Sequence, residues 1–184
     1  MDLKFVALPD VNPRVEDPLV LWERDDRLTA ELAKGVARFP QPDPQWIEDR
    51  FWIWVHYCAT KIGRGELFEA ADFLAYLRGQ VLGPLILLEA GQRPSGVRRL
   101  ETAAPVRAKQ AEATIAIHDA RSCLEALKAA MALYQELWAT KPFRAVESNH
   151  PAKQIAADYV TGLEERFRPW RRLAIGRLRR RDLS

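Results

Sequence analysis

Apolar and polar positions alternate only briefly at the start of the chain. Leu3-Lys4-Phe5-Val6-Ala7-Leu8 runs into Pro9 and predicts a short strand. A second apolar run, Leu19-Val20-Leu21-Trp22, ends at the charged turn Glu23-Arg24-Asp25-Asp26, and residues 28–36 predict a short helix. Phe39-Pro40-Gln41-Pro42-Asp43-Pro44 holds too much proline for regular structure and marks a boundary.

Beyond that boundary the period becomes helical. Ile47, Phe51, Val55, Cys58 and Ile62 recur at spacings of three and four, which puts them on one helical stripe. Asp43 supplies a side-chain cap, Pro44 suits the first turn, and Gly63-Arg64-Gly65 ends the helix. A second helix starts at Glu66 with Leu67, Ala70, Leu74, Leu77 and Val81 on its apolar face. Pro84 should kink it, and Gly91 should terminate it. Residues 92–105 read as a polar connector. A third helix carries Ile117, Ala120, Leu124, Leu127, Met131, Tyr134 and Trp138 as a seam. A shorter fourth helix follows Pro151, with Ile155, Tyr159 or Val160, Leu163 and Phe167 facing inward.

The pattern predicts an all-α fold: a four-to-five-helix up-and-down bundle with a short extended N-terminal segment. Residues 1–40 form an N-terminal segment, 41–167 the bundle and 168–184 an arginine-rich tail. The formal charge of +3 is unevenly placed, because seven arginines against Asp182 put +6 in the tail and leave the body at −3. A basic tail on a slightly acidic body argues weakly for nucleic acid. Cys58 and Cys123 sit among apolar neighbours in helical segments and read as two buried thiols in a reducing cytoplasm. The apolar run from Val81 to Leu88 falls short of the roughly 20 residues that span a bilayer, so no membrane partner is expected.

The chain has no phosphate-binding glycine loop, no HExxH and no CxxC. Its histidines, His56, His118 and His150, lie far apart in sequence, so a zinc site is not expected. The informative positions lie away from the core stripes. Arg50, Trp54, Tyr57 and Lys61 share a face of the first long helix, and Glu69, Asp72 and Tyr76 share a face of the second. Most such faces are simply solvated, but large rings on them raise the odds of a contact surface.

The block from Phe51-Trp52-Ile53-Trp54 through Ala59-Thr60-Lys61 to Glu69-Ala70-Ala71-Asp72, continuing to Tyr76-Leu77-Arg78, resembles the helical region of streptomycin 6-adenylyltransferase-like nucleotidyltransferases. Asp2-Leu3-Lys4-Phe5-Val6 is similar to the strand of their catalytic domain that bears the third metal-binding carboxylate, which would fall on Asp2. The likeness covers roughly the first half of the chain. It implies that Lys61 reaches nucleotide phosphates, and that Asp72 acts as general base or holds a cationic aminoglycoside. Glu69 is a substitute for Asp72 one turn away, and Arg50, Trp54, Tyr57 and Tyr76 wall the cleft.

Each residue also has a plainer role. Lys61 suits a helix C-terminus, Asp72 suits a solvated helix middle, and the rings suit the core edge. The family's Gly-Ser turn and Asp-x-Asp pair are absent from this sequence, and one remnant carboxylate at Asp2 cannot hold the metal pair of nucleotidyl transfer. Mg²⁺ and a nucleoside triphosphate are therefore expected only if another domain supplies that half. The start at Met1-Asp2 predicts that the chain begins inside the ancestral catalytic sheet.

Three readings follow. The chain is the helical substrate-binding portion of a nucleotidyltransferase, not catalytic in isolation. Alternatively, it is a non-enzymatic interaction module that forms a homodimer or partners a separate catalytic domain. As a third reading, it binds nucleic acid through its basic tail.

Overall fold

The structure, a computed structural model, describes residues 3–140 and 144–167. The arginine-rich tail and Asp2 lie outside the described residues. The chain divides into two compact units, residues 1–41 and 42–184.

In the first unit a 3-10 turn spans Leu8–Val11 and helix α1 spans Arg27–Leu32. The strand expected over residues 3–8 does not form. Extended backbone becomes a strand only against a neighbour, and Leu3, Phe5 and Val6 remain exposed without one. Polar contacts hold this unit instead. Arg14 donates to the Gly35 carbonyl at 3.0 Å and to the Asn12 side chain, and Asn12 donates to the Glu31 carbonyl at 2.9 Å.

The second unit is an all-helical bundle. Helix α2 spans Pro44–Arg64, and the Asp43 carboxylate caps it by accepting from the backbone N–H of Gln45 (3.0 Å) and Trp46 (3.1 Å). Gly65 ends it in the left-handed region at φ 79°. Helix α3 (Leu67–Leu77) runs through a π turn over Arg78–Leu82 into helix α4 (Gly83–Glu89). The π turn precedes Pro84, whose missing N–H would break a regular ladder. A Cβ on Gly83 would lie 2.5 Å from the Gly96 carbonyl, so only glycine lets these backbone segments meet.

Taken as one element, Leu67–Glu89 is long enough by length and composition to cross a membrane, with hydropathy 1.3, which corrects the estimate made from Val81–Leu88 alone. Half of its 18-residue apolar window is buried inside the bundle, as in a core helix.

The supposed connector 92–105 contains helix α5 (Leu100–Ala103), and helix α6 (Pro105–Glu112) follows it directly. Helix α7 spans Ala120–Trp138, capped by Asp119, and helix α8 spans His150–Phe167. Ile117 therefore lies before α7 and is exposed, and Ile155 faces solvent on α8, where Ala156, Val160 and Leu163 are buried instead.

Helix α2 packs against α3, α7 and α8. Contacts from Lys61 to Glu66 and from Trp54 to Tyr76 show α2 and α3 antiparallel. Contacts from Gln45 to Glu147 and from His56 to Tyr159 show α2 and α8 parallel. The core at their junction includes Phe51, stacked on Tyr134 with centroids 3.6 Å apart, and Cys58 beside the Ala70 carbonyl. Both cysteines are free and buried, and burial pushes the Cys58 thiol up to about 12.

Candidate functional site

Antiparallel packing of α2 and α3 brings most of the expected site residues onto one face. The Lys61 ammonium lies 2.8 Å from Glu66 and 2.5 Å from Glu69, and 5.2 Å from the centre of the Tyr57 ring. The bonds to Glu66 and then Glu69 hold Lys61 above the usual lysine range. The same bond from Lys61 holds Glu66 below the usual carboxylate range. Tyr57 donates to Glu69 at 3.5 Å.

From Tyr57 a row of rings crosses both helices. Tyr57 meets Phe73 at 5.0 Å, Phe73 meets Tyr76 at 5.5 Å, Tyr76 meets Trp54 at 5.7 Å and Trp54 meets Trp46 at 5.4 Å. The Arg50 guanidinium covers Trp46 at 4.5 Å and closes the far end.

The structure thus gathers Arg50, Trp54, Tyr57, Lys61, Glu69 and Tyr76. Asp72, one turn from Glu69, is exposed and has no ion pair among the described residues. Trp46 and Phe73 complete the row although the sequence reading passed over them. Their signal was spacing: Trp46 stands four residues before Arg50, and Phe73 four after Glu69. Among the described residues no three of His, Cys, Asp or Glu gather where they could hold a metal ion. Asp2, the carboxylate that the resemblance assigns to Mg²⁺, lies outside the described residues.

A second polar site was not anticipated. Glu48 lies on α2 within the buried stripe and is 1% exposed. Its Oε1 accepts from Trp52 Nε1 (3.2 Å), the Asn149 N–H (3.0 Å) and Ser148 Oγ (3.4 Å), and its Oε2 accepts from the Tyr134 hydroxyl (2.7 Å). Helices α2 and α7 and the segment before α8 therefore converge on one carboxylate. One turn earlier, Gln45 accepts from the Glu147 N–H (2.9 Å) and donates to its carbonyl (3.2 Å), fixing the approach to α8. Burial, and then the hydrogen bond to Glu48, raise the Tyr134 phenol well above the usual tyrosine range.

Beside this network is a cavity of about 310 Å³. Trp52, Tyr134 and Trp138 wall it, and Gln135, Ser148, His150 and Lys153 also line it. The sequence signal for Glu48 was an acid next to Ile47 and four residues before Trp52, inside the apolar stripe. No family model matches the chain, and no curated protein or solved structure matches it significantly.

Proposed function

We propose that the chain supplies the helical, substrate-binding portion of a nucleotidyltransferase, transferring a nucleotidyl group to a hydroxyl acceptor such as an aminoglycoside. In this reading the metal-binding carboxylate pair comes from another domain, and this chain alone does not catalyse transfer. The observation that carries it is the α2–α3 face, where a row of five rings runs beside the Lys61–Glu69 pair and the exposed Asp72.

Each group has a chemical use. The rings offer flat apolar surface to sugar rings or a base. Asp72 accepts the proton of the attacking hydroxyl as its oxygen bonds to phosphorus and pyrophosphate leaves, and Glu69 is its substitute. Lys61 turns to nucleotide phosphates by exchanging Glu66 or Glu69 for a phosphate oxygen. The setting that suits two free thiols is the cytoplasm.

Calorimetric titration with streptomycin tests this assignment. The expected result is binding that weakens about tenfold or more in Asp72→Asn and Glu69→Gln, as loss of a charge-assisted contact would give. Equal affinity in wild type and both variants would remove these carboxylates from the site. ATP-dependent modification of streptomycin by the chain alone would overturn the assignment of catalysis to a second domain.

A second reading, an interaction module, is favoured by the outward side of the same helix. Trp46, Ile53 and Tyr57 are 45%, 57% and 43% exposed there. Sedimentation of wild type against Ile53→Asp decides it: a dimer that becomes a monomer supports this reading, and a monomeric wild type removes self-association.

A further inference from the structure

We infer that residues 17–23 form an interaction surface that adds as a strand to the exposed sheet edge of another protein, separate from the α2–α3 face and independent of the nucleotidyltransferase reading. The unit that carries them is short of burial. None of residues 3–41 is buried, and eight large apolar side chains of this unit, Leu19, Leu21 and Trp22 among them, are exposed. The contacts of Arg14 and Asn12 tie the unit together and leave those side chains uncovered. That much exposed apolar surface in one short unit marks a contact site.

The backbone sets the kind of partner. Residues 17–23 run without a turn or bend. The N–H and C=O groups of residues 19–22 make no hydrogen bond among the described residues, so a row of donors and acceptors stands open. Leu19 and Leu21, 84% and 89% exposed, fall on one side by the two-residue period of extended chain, with Val20 and Trp22 on the other. A chain of this form binds by joining a sheet edge, which pairs its backbone and seats alternate side chains.

Charge separates the occupants. Five acids against Arg24 give residues 16–26 a formal charge of −4, which an anionic lipid surface would repel. A second copy would have to pair the segment with itself. Antiparallel pairing centred on Val20 sets Asp17 opposite Glu23, and pairing centred on Leu21 sets Asp17 opposite Asp25. Two such strands would also make an isolated ribbon, which is marginal in water. Natural sheet edges are commonly guarded by lysine, and such an edge meets the acids at both ends of this segment.

Site-specific photocrosslinking tests the inference, with p-benzoylphenylalanine replacing Leu19 in the full chain. The protein is irradiated in extract of its own source cells, and crosslinked peptides are identified by mass spectrometry. The expected crosslink falls on an edge strand of a β-sheet in one identified protein. Neighbouring strand residues point their N–H groups to opposite edges, so only one of Val20→Pro and Leu21→Pro removes a donor that faces the partner. That variant is expected to lower the crosslink yield about tenfold, while the other keeps it within about threefold. Circular dichroism checks that the helices of the second unit remain. Crosslinks to a second copy, to the chain's own residues, to lipid or to a helical surface would overturn the inference. So would no crosslink, or equal yields from the two proline variants.

Discussion

Two tyrosine–glutamate pairs in this bundle use the same chemistry in opposite surroundings. Tyr134 donates to Glu48 at 2.7 Å in the interior, and Tyr57 donates to Glu69 at 3.5 Å on an exposed face. Inside, water cannot replace a missing partner, so Glu48 is surrounded by protein donors from α2, α7 and the segment before α8. Outside, Glu69 takes its strongest contact from Lys61, and water can substitute for any of these partners. The buried pair is therefore a structural junction, and the exposed pair is free to exchange partners with a ligand.

Removing each carboxylate breaks the comparison most sharply. Glu48→Leu strands the donors of Trp52, Tyr134 and Asn149 in the interior, and each orphan costs about 1–3 kcal/mol. The expected loss is about 3 kcal/mol or more, read as a lower urea midpoint with unchanged slope. Glu69→Leu is expected to lower the melting temperature by about 2 °C at most, because an exposed ion pair contributes little. Comparable losses in the two variants would show that burial does not separate the sites.

Deleting only the hydroxyls makes the same contrast on a smaller scale. Tyr134→Phe leaves Glu48 Oε2 without its donor and is expected to cost about 1.5–3 kcal/mol, the range for hydrogen bonds to charged groups. Tyr57→Phe should fall within about 0.5 kcal/mol of wild type, as for ordinary surface changes. Equilibrium denaturation of the pair measures both.

How far the sequence anticipated these sites depends on whether the signal was local. The α2 cap at Asp43-Pro44, the stop at Gly65 and the stripe from Ile47 to Ile62 were legible because spacing and backbone chemistry write them directly. Helix α6 was not, because it packs through Ala108 and Ala111, and small residues leave no apolar period among Arg107, Lys109 and Gln110. A polar contact adds to that packing: Arg107 binds both oxygens of Glu89, at 2.7 and 2.8 Å, and Glu136 at 2.5 Å. The expected strand failed because pairing is a tertiary property. The α2–α3 face was visible in outline, since helical spacing grouped its residues. Glu48 was hidden because its role depends on donors about 100 residues away, at Ser148 and Asn149.

Titration extends the contrast to pH. The Tyr134 phenol is raised in the folded state, so its contribution is present below the unfolded value of about 10 and is lost as pH climbs beyond it. Absorbance at 295 nm should show one of the four tyrosines ionising only as the protein unfolds in alkali, and Tyr134→Phe should abolish that step. A full complement of tyrosines titrating in the folded protein would contradict the buried hydrogen bond.

The smallest effect is expected on the acid side of the exposed cluster. Lys61 lowers Glu66, so that carboxylate contributes stability above the unfolded value of about 4.3 and loses it as pH falls through the lower folded value. Because the cluster faces solvent, salt competes with it, and 1 M NaCl with its Debye length of about 3 Å should flatten the dependence. Lys61→Met should flatten it in the same way, without altering the Tyr134 step. If salt and Lys61→Met both leave the acid limb unchanged, its source lies with another lowered carboxylate. Glu23, held below the usual carboxylate range by the hydroxyl and then the backbone N–H of Thr29, is then the group to test.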